Sequence, residues 1–379
     1  MNLPWMKRSG SATLWLAEGS VPHFREMVEL GREIVRALCD YVGPDEVARR
    51  FADPFWLTSL SCVLGFEWNT SGQTTITLKA IKQALAGTEV PVRVLGGKGS
   101  EMRTAQLEAA RVLSEIGVED VGELRRVSRL TCAVDEAALQ DSYNIYFHAA
   151  IVSESGKWSI VNQGMNTENL TARRYHWSSE VGATVQEPHT EIVSDRVEQV
   201  VLDMTSRQST ETRKTIIEML SDTPPSRINE DLAQAKALMK KQCLLDRGPS
   251  MDVERLPQHL MPPRKLDEET LRAVKNVRKF EELLTMSGVG PATVRGLAYV
   301  ACLIYGSKAS WKDPVKYAYA YGTKSGRPYY VDRKAMIESA DVLREALMRA
   351  RMGEGEKITV LRRLAAFIDE VGSEQPQNH

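Results

Sequence analysis

Apolar residues recur every three to four positions over residues 22–52, which predicts amphipathic helices there. The helical period returns over 101–128, over 207–248 and over most of 266–372. Between these segments the pattern is typical of strands, predicted at 91–97, 143–153, 157–163 and 190–201. The turn sequence Glu154-Ser155-Gly156 separates two of them and predicts a β-hairpin. The pattern as a whole predicts an α+β fold.

The segment 247–265 is rich in proline and polar residues and has no clear period, which is typical of a linker. We expect a mixed α/β domain with a small sheet, including the β-hairpin, over residues 1–206, the domain that would carry catalysis. A helical connector and linker follow over 207–265. An all-helical domain occupies 266–372, and 373–379 form a disordered tail.

Composition narrows the class of protein. The chain has 379 residues, a net charge of −1 and 26% charged residues, so any surface for nucleic acid must be a local patch. Its five cysteines stand singly without a CxxC pair, which is typical of a reducing compartment and argues against a zinc ribbon or an iron–sulfur cluster. No apolar run approaches the length of a membrane span, and the start lacks a signal-peptide core. We expect a cytoplasmic protein without a membrane partner.

The most distinctive local pattern lies at residues 280–306, where two apolar helices flank the sequence SGVGP. Its glycines permit positive φ angles and a close approach of the backbone to a ligand, and the proline suits the first position of a helix. Free amides at that helix start suit a phosphate oxygen, with a monovalent cation bound at the turn. The segment resembles the helix-hairpin-helix motif of DNA-repair proteins; the alternative is a glycine-rich turn without a ligand. The expected DNA contacts here are Gly288, Val289, Gly290, Thr293 and Arg295.

The segment 308–334 strengthens this expectation, because seven basic residues are interleaved there with six aromatic ones. Basic groups neutralise phosphates, and aromatic rings stack on exposed bases. Single- or double-stranded DNA is the predicted partner, although single-stranded RNA fits the pattern equally well. The alternative is a tyrosine-rich packed loop on a solvated basic face. The basic residues are Lys308, Lys312, Lys316, Lys324, Arg327, Arg333 and Lys334.

The candidate catalytic residues are Asp141, His148, His176 and His189. Carboxylates that hold Mg²⁺ or Mn²⁺ and histidines that move protons are what metal-dependent phosphodiester cleavage requires. Within ARRYHW, Arg173 and Arg174 are expected to line a groove for phosphates or bases, with a structural salt-bridge and stacking cluster as the alternative. No nuclease signature accompanies these residues, and each histidine alone also fits a structural role.

Nine motifs in order carry a family resemblance over residues 7–345: KRSGSATL, DPFWLTSLSCVLGFEWNTSGQTT, LGGKG, VDEAALQDSYNIYFH, GKWSIVNQGMN, ARRYHW, EPHT, GVGPAT and YYVDRK. The chain resembles the prokaryotic domain-of-unknown-function family numbered 763, found largely in archaea and thermophilic bacteria. The resemblance implies a shared architecture and brings no settled activity. Family members usually have Asp-Trp-His where this chain has Glu67-Trp68-Asn69, and lysine in place of Ala292. If those positions are catalytic in relatives, this chain is altered or inactive.

These patterns favour a protein of DNA repair or processing, a metal-dependent nuclease with a backbone-binding motif. One alternative is a DNA glycosylase using Asp332, which enters a helix as the catalytic aspartate of helix-hairpin-helix glycosylases does. Asp332 equally suits the N-cap of that helix, and Ala292 argues against a lyase with a Schiff-base lysine. The other alternative is a non-catalytic DNA-binding or scaffolding protein.

Overall fold

The computed structural model describes residues 23–65, 71–194, 196–245, 256–315, 317–318 and 333–373. Its helices are α1 (Phe24–Val42), α2 (Pro44–Arg50), α3 (Pro54–Val63), α4 (Ser71–Leu85), α5 (Ser100–Ser114), α6 (Gly122–Ala133), α7 (Thr210–Asp222), α8 (Pro225–Leu245), α9 (Glu268–Ala273), α10 (Phe280–Thr285), α11 (Pro291–Leu303), α12 (Arg333–Arg349) and α13 (Glu354–Ser373). Its strands are β1 (Val92–Lys98), β2 (Leu139–Gln140), β3 (Asn144–Ser153), β4 (Trp158–Asn166), β5 (Thr171–Ser178), β6 (Glu191–Ser194), β7 (Leu202–Asp203) and β8 (Tyr317–Ala318).

A six-stranded sheet in the order β1-β3-β4-β5-β6-β8 organises the molecule. The first five strands pair antiparallel, and β8 pairs parallel to β6. Strands β2 and β7 form a separate two-stranded ribbon. The predicted α+β class and the predicted β3–β4 hairpin are confirmed, and Gly156 takes a φ of 82° in the hairpin's turn.

The sheet lies between two helical layers, each with its own apolar core. On what we call the first face, Phe147, Ile151 and Val161 pack with α1–α4, α12 and α13. On the second face, Ile160 and Trp177 pack with α5–α11. Because side chains alternate along a strand, neighbouring residues of one strand enter different cores.

The helices of 266–372 divide between these two layers. Helices α10 and α11 contact α6 and α7 on the second face, whereas α12 and α13 contact α1 and α3 on the first. Each half therefore packs on elements from before the predicted linker. The boundaries at 206 and 265 stay a prediction, but apolar contacts run across them.

Strand β5 is the main difference from the expected structure. Within ARRYHW we expect Arg173 and Arg174 to line a groove, with a structural salt-bridge and stacking cluster as the alternative. The segment is instead part of an inner strand of the sheet, paired on both sides. Arg173 and His176 are fully buried. The charge of Arg173 tolerates burial because the carboxylates of Asp141 and Asp313 contact it. Within the described ranges, no helix has the length and apolar character needed to cross a bilayer.

Candidate functional site

A row of buried polar side chains crosses the second face, and Asp135 lies at its centre. Asp135 is carried by a π-helical turn (Val134–Ala138) between α6 and β2, an irregularity that is frequent at functional sites. Its Oδ2 accepts hydrogen bonds from Asn162 Nδ2 at 2.7 Å and Trp177 Nε1 at 3.0 Å, and His189 Nε2 lies 2.6 Å from its Oδ1. Three donors thus stabilise a carboxylate that is fully buried.

The row continues from Asp135 through Asn162 and His148 to Ser128, and we call these four residues with His189 the buried relay. Since a carboxylate only accepts hydrogen bonds, the amide nitrogen of Asn162 faces Asp135 and its oxygen faces His148 Nδ1, at 2.7 Å. Nδ1 must then carry the proton. The other ring nitrogen, Nε2, accepts from Ser128 Oγ at 2.8 Å.

Burial keeps His148 and its neighbour Cys132 neutral. It lowers the pKa of His148, so its imidazole is uncharged at neutral pH. Cys132 Sγ lies 3.3 Å from His148 Nδ1, and burial raises the pKa of this thiol far above its usual range. Cys132 is therefore a protonated neighbour of the relay and not a thiolate nucleophile.

An arginine cluster adjoins the relay on the same face. The guanidinium of Arg173 is fully buried, with Nη1 2.9 Å from Asp141 Oδ2 and Nη2 2.8 Å from Asp313 Oδ2. It lies over the Tyr143 ring, 4.5 Å from the centroid. The Tyr175 hydroxyl donates to Asp141 Oδ2 at 2.8 Å, and burial raises the pKa of Asp141 to about 6 although Arg173 acts in the opposite direction. The cluster joins β5 to residues from beyond α11.

The two groups of residues are continuous. The ring of Tyr175 lies 5.8 Å from that of His189, centroid to centroid. The structure therefore brings three of the predicted catalytic residues, Asp141, His148 and His189, into one row. Asp141 is not free to act there, because its two oxygens already accept from Arg173, Tyr175 and a backbone amide.

The fourth candidate, His176, lies on the first face. Its Nδ1 donates to the Phe51 carbonyl oxygen at 3.0 Å, and its buried Nε2 has no partner among the described residues. Burial lowers the pKa of His176 to about 3, so the ring is neutral. Arg174, on the same face, donates to the hydroxyls of Thr58 at 3.2 Å and Thr74 at 3.3 Å. Strand alternation separates these two residues from the relay.

Sequence reasoning did not single out Ser128 or Asn162. The signal for Asn162 was present: a hairpin that turns at Glu154–Gly156 places His148 opposite position 162, and the two residues are indeed partners in the register. Nothing local distinguishes Ser128, which reaches His148 from α6. Among the described residues, no three or more His, Cys, Asp or Glu side chains are placed to hold a metal ion. The Mg²⁺ or Mn²⁺ site stays a prediction.

The predicted DNA-contacting segment forms a partly exposed turn, the glycine turn (residues 286–290), between α10 and α11. Gly288 has a φ of +83°, and a Cβ there would lie 2.6 Å from Thr270 Oγ1. Gly290 is extended, and a Cβ there would meet nothing within 4 Å. The backbone amides of Gly290, Ala292 and Thr293 have no acceptor among the described residues.

The predicted basic contacts are placed differently. Arg295 donates to Met261 O at 2.8 Å and Gln140 Oε1 at 2.7 Å, so it anchors α11 to β2. Arg173 lies in the core, where burial and two carboxylates hold it. Lys308 and Lys312 are exposed. Arg333 and Lys334 begin α12, but their side chains lie outside the described part of the structure. Wholly outside the described residues lie Lys316, Lys324, Arg327, Asp332, Glu67 and Asn69.

A comparison with protein-family models matches most of the chain. Residues 10–331 match the model of DUF763, described as a protein of unknown function. The chain belongs to the DUF763 family. The matched range contains the relay, the arginine cluster and the glycine turn, so these features belong to the DUF763 region of the chain. Neither a search of curated proteins nor a search of solved structures found a match.

Proposed function

We propose that this DUF763 protein binds DNA by its sugar-phosphate backbone at the glycine turn, in DNA repair or processing. The observation that carries the proposal is the set of three backbone amides, those of Gly290, Ala292 and Thr293, without acceptors at the exposed start of a 13-residue helix. A phosphate oxygen would accept from such amides and gain from the helix dipole. Direct base contacts are not required for this mode of binding.

Steric conditions at the turn support the same role. Gly290 leaves open space beside the amides, so a phosphate can approach the backbone. Glycine is required at position 288, because its φ is positive and a Cβ there would clash with Thr270. The two glycines therefore have different functions, one structural and one in ligand access.

The turn is held rigidly by the core, which favours tight binding because little order is lost on association. Val289 packs against the apolar core of the second face. The side-chain amide of Gln140 donates to the carbonyl oxygen of Pro291 at 2.8 Å and accepts from Arg295 at 2.7 Å. The start of α11 is thus attached to β2.

Metal-dependent cleavage of the bound DNA is the catalytic extension of this proposal. The arginine cluster gives it less support than the sequence suggested, since Asp141 is held by Arg173 and Tyr175. Base release by Asp332 and a purely scaffolding role are the alternatives. The cleavage assay described below distinguishes these alternatives from the nuclease, whereas the binding assay does not.

The binding test compares wild type, Gly290→Glu and Gly355→Glu by fluorescence anisotropy with labelled single-stranded and duplex DNA over a range of salt. Gly355 is the control, because a Cβ there, as at Gly290, would meet nothing within 4 Å, and because it is an exposed residue at the start of another helix. We expect salt-sensitive binding by wild type and Gly355→Glu, and at least a tenfold loss in Gly290→Glu. Equal affinity of all three proteins would show that the glycine turn does not contact DNA.

The same samples, incubated with Mg²⁺ or Mn²⁺, report on catalysis. Strand cleavage that needs the metal supports a nuclease, whereas metal-independent base release supports the glycosylase alternative. An RNA of the same sequence, used as a competitor, decides which nucleic acid is preferred. If wild type binds neither nucleic acid at low salt, the proposal is wrong.

A further inference from the structure

The chain that runs beside the glycine turn is strongly basic. Residues 270–280 contain four basic side chains and no acidic one, whereas the whole protein has a net charge of −1. Thr270 lies against Gly288, since a Cβ on that glycine would come within 2.6 Å of Thr270 Oγ1. From there the chain passes through the end of α9 to the start of α10, and we call residues 272–279 the basic segment. A local positive surface therefore adjoins the glycine turn.

Buried valines fix the direction in which the basic side chains point. Val274 and Val277 are 0% and 3% exposed and pack in the core of the second face. A backbone hydrogen bond from Val277 N to Val274 O at 3.2 Å holds the chain in a tight turn. Lys275, Arg278 and Lys279 occupy the other positions and are exposed. The segment thus presents three cations to solvent from a backbone anchored in the core.

Two of the acidic residues that flank the segment have other partners. Glu268 lies 2.9 Å from both Lys265 Nζ and Arg272 Nη2. Glu282 accepts a hydrogen bond from the backbone amide of Arg278 at 3.0 Å. Within the described ranges, the three exposed cations form no ion pair. Their charges remain available to an anionic partner.

We propose that the basic segment contacts phosphates of the DNA held at the glycine turn, and that this DNA is a duplex. The inference rests on the proposed function and names its substrate class. A duplex carries one phosphate charge per about 1.7 Å of its axis, against about 3.4 Å for a single strand. A surface of several cations therefore gains most from a duplex.

The distance between the two contacts fits one duplex. Nine residues separate Thr270, which touches the turn, from Lys279, and such a chain spans at most about 32 Å. One turn of B-form DNA is about 34 Å long. The turn and the basic segment therefore reach phosphates within a single helical turn of the same molecule.

The side chains of this surface favour a duplex over a single strand. Proteins that hold single strands combine a basic groove with aromatic rings that stack on the bases. Phe280, which ends the basic stretch, is only 4% exposed, and neither the basic segment nor the glycine turn contains an aromatic residue. Contacts to the phosphate backbone are what such a surface offers, and these position the protein without reading the sequence.

The test measures how salt affects binding of the full-length protein to a labelled duplex and to one of its strands. Wild type is compared with a variant that combines Lys275→Gln, Arg278→Gln and Lys279→Gln. We expect wild type to bind the duplex more tightly than the strand. In the variant, the slope of log Kd against log salt on the duplex should fall by about 2–3, because each phosphate contact contributes about 0.9.

The control variant removes the same amount of charge outside the basic segment. Its three positions are exposed basic residues without an ion pair in the described part of the chain: Lys157→Gln, Arg351→Gln and Arg362→Gln. It should keep the wild-type slope, which excludes an effect of net charge alone. Circular dichroism verifies that each variant is folded.

Gly290→Glu, measured on the same DNA, separates this inference from the proposed function. Weaker binding by Gly290→Glu with an unchanged slope in the Lys275, Arg278 and Lys279 variant would overturn the basic segment and leave the turn as the contact. Equal binding of duplex and single strand by wild type, or an equal decrease of slope in the control variant, would also overturn it. If wild type binds no DNA at all, the proposed function fails, and this inference with it.

Discussion

The arginine cluster offers the most direct test of how polar groups are accommodated in this core. The perturbation is Arg173→Met, which replaces the fully buried guanidinium by an apolar side chain of similar length. Asp141 and Asp313 then face each other without the cation that lies 2.9 Å and 2.8 Å from them. Because methionine refills most of the volume, the effect is chiefly electrostatic.

The expected loss follows from the burial of all three groups. Arg173 and Asp141 side chains are 0% exposed and Asp313 is 1% exposed, so water does not screen the charges left behind. Removing one partner of a buried ion pair lowers the free energy of unfolding by about 3–5 kcal/mol. Loss of the desolvated guanidinium over the Tyr143 ring adds about 2 kcal/mol.

The size of this loss should depend on pH. Without Arg173, the folded-state pKa of Asp141 rises further above its unfolded value. A group of this kind contributes stability below the unfolded pKa and loses that contribution as pH rises through the folded pKa. The defect of Arg173→Met should therefore be larger at pH 8 than at pH 5.

Urea unfolding followed by tryptophan fluorescence at these two pH values measures the effect. Arg196→Met is the control, since Arg196 pairs with Glu198 at 2.9 Å but is 48% exposed, and exposed pairs contribute only about 0–1 kcal/mol. A loss in Arg173→Met of under about 1 kcal/mol at pH 8, or a larger loss at pH 5, would refute the reasoning.

Three further predictions concern single groups. Burial raises the pKa of Asp141 from 3.8 to about 6, so its contribution of about 3 kcal/mol disappears as pH rises through that range. Asp141→Asn should flatten the pH dependence of the unfolding free energy over the same pH range, as measured by urea unfolding. An unchanged pH dependence would contradict the raised pKa of Asp141. Gly288→Ala should lower the melting temperature, because the positive φ costs alanine about 1–2 kcal/mol of strain, whereas Gly290→Ala should not. Equal melting temperatures of the two variants would contradict the different roles of these glycines. Ala292→Lys should steepen the salt dependence of DNA binding by about 0.9, and Leu107→Lys, at a position 76% exposed, should leave it unchanged; equal slopes would contradict the phosphate contact.

Local patterns predicted the central hairpin well. Strands β3 and β4 are apolar segments joined by a turn that contains Gly156, and both the alternation and the turn are properties of neighbouring residues. The turn also fixes the register, and with it the pairing of His148 with Asn162. This part of the candidate site could have been read from the sequence before the structure was known.

Strand β5 was missed because its polar composition conceals its period. Arg173, Tyr175 and Trp177 face one core, and Arg174 and His176 face the other. The partners that make this composition tolerable are distant in sequence. Asp313 is 140 residues from Arg173, and Thr74 is 100 residues from Arg174. No periodicity reports such contacts, so a buried charged strand resembles an exposed one in a single sequence.

The same distinction applies to the helices after the predicted linker, because they contact elements that precede it by many residues. Gln140 follows the π-helical turn that carries Asp135, and its side-chain amide donates both to Ala137 O at 2.9 Å and to Pro291 O at 2.8 Å. Arg295 completes the connection by donating to Gln140 Oε1 at 2.7 Å. The element that positions the centre of the relay thus also positions the start of α11. A ligand at the glycine turn would therefore bind to a surface that is attached to the element carrying Asp135.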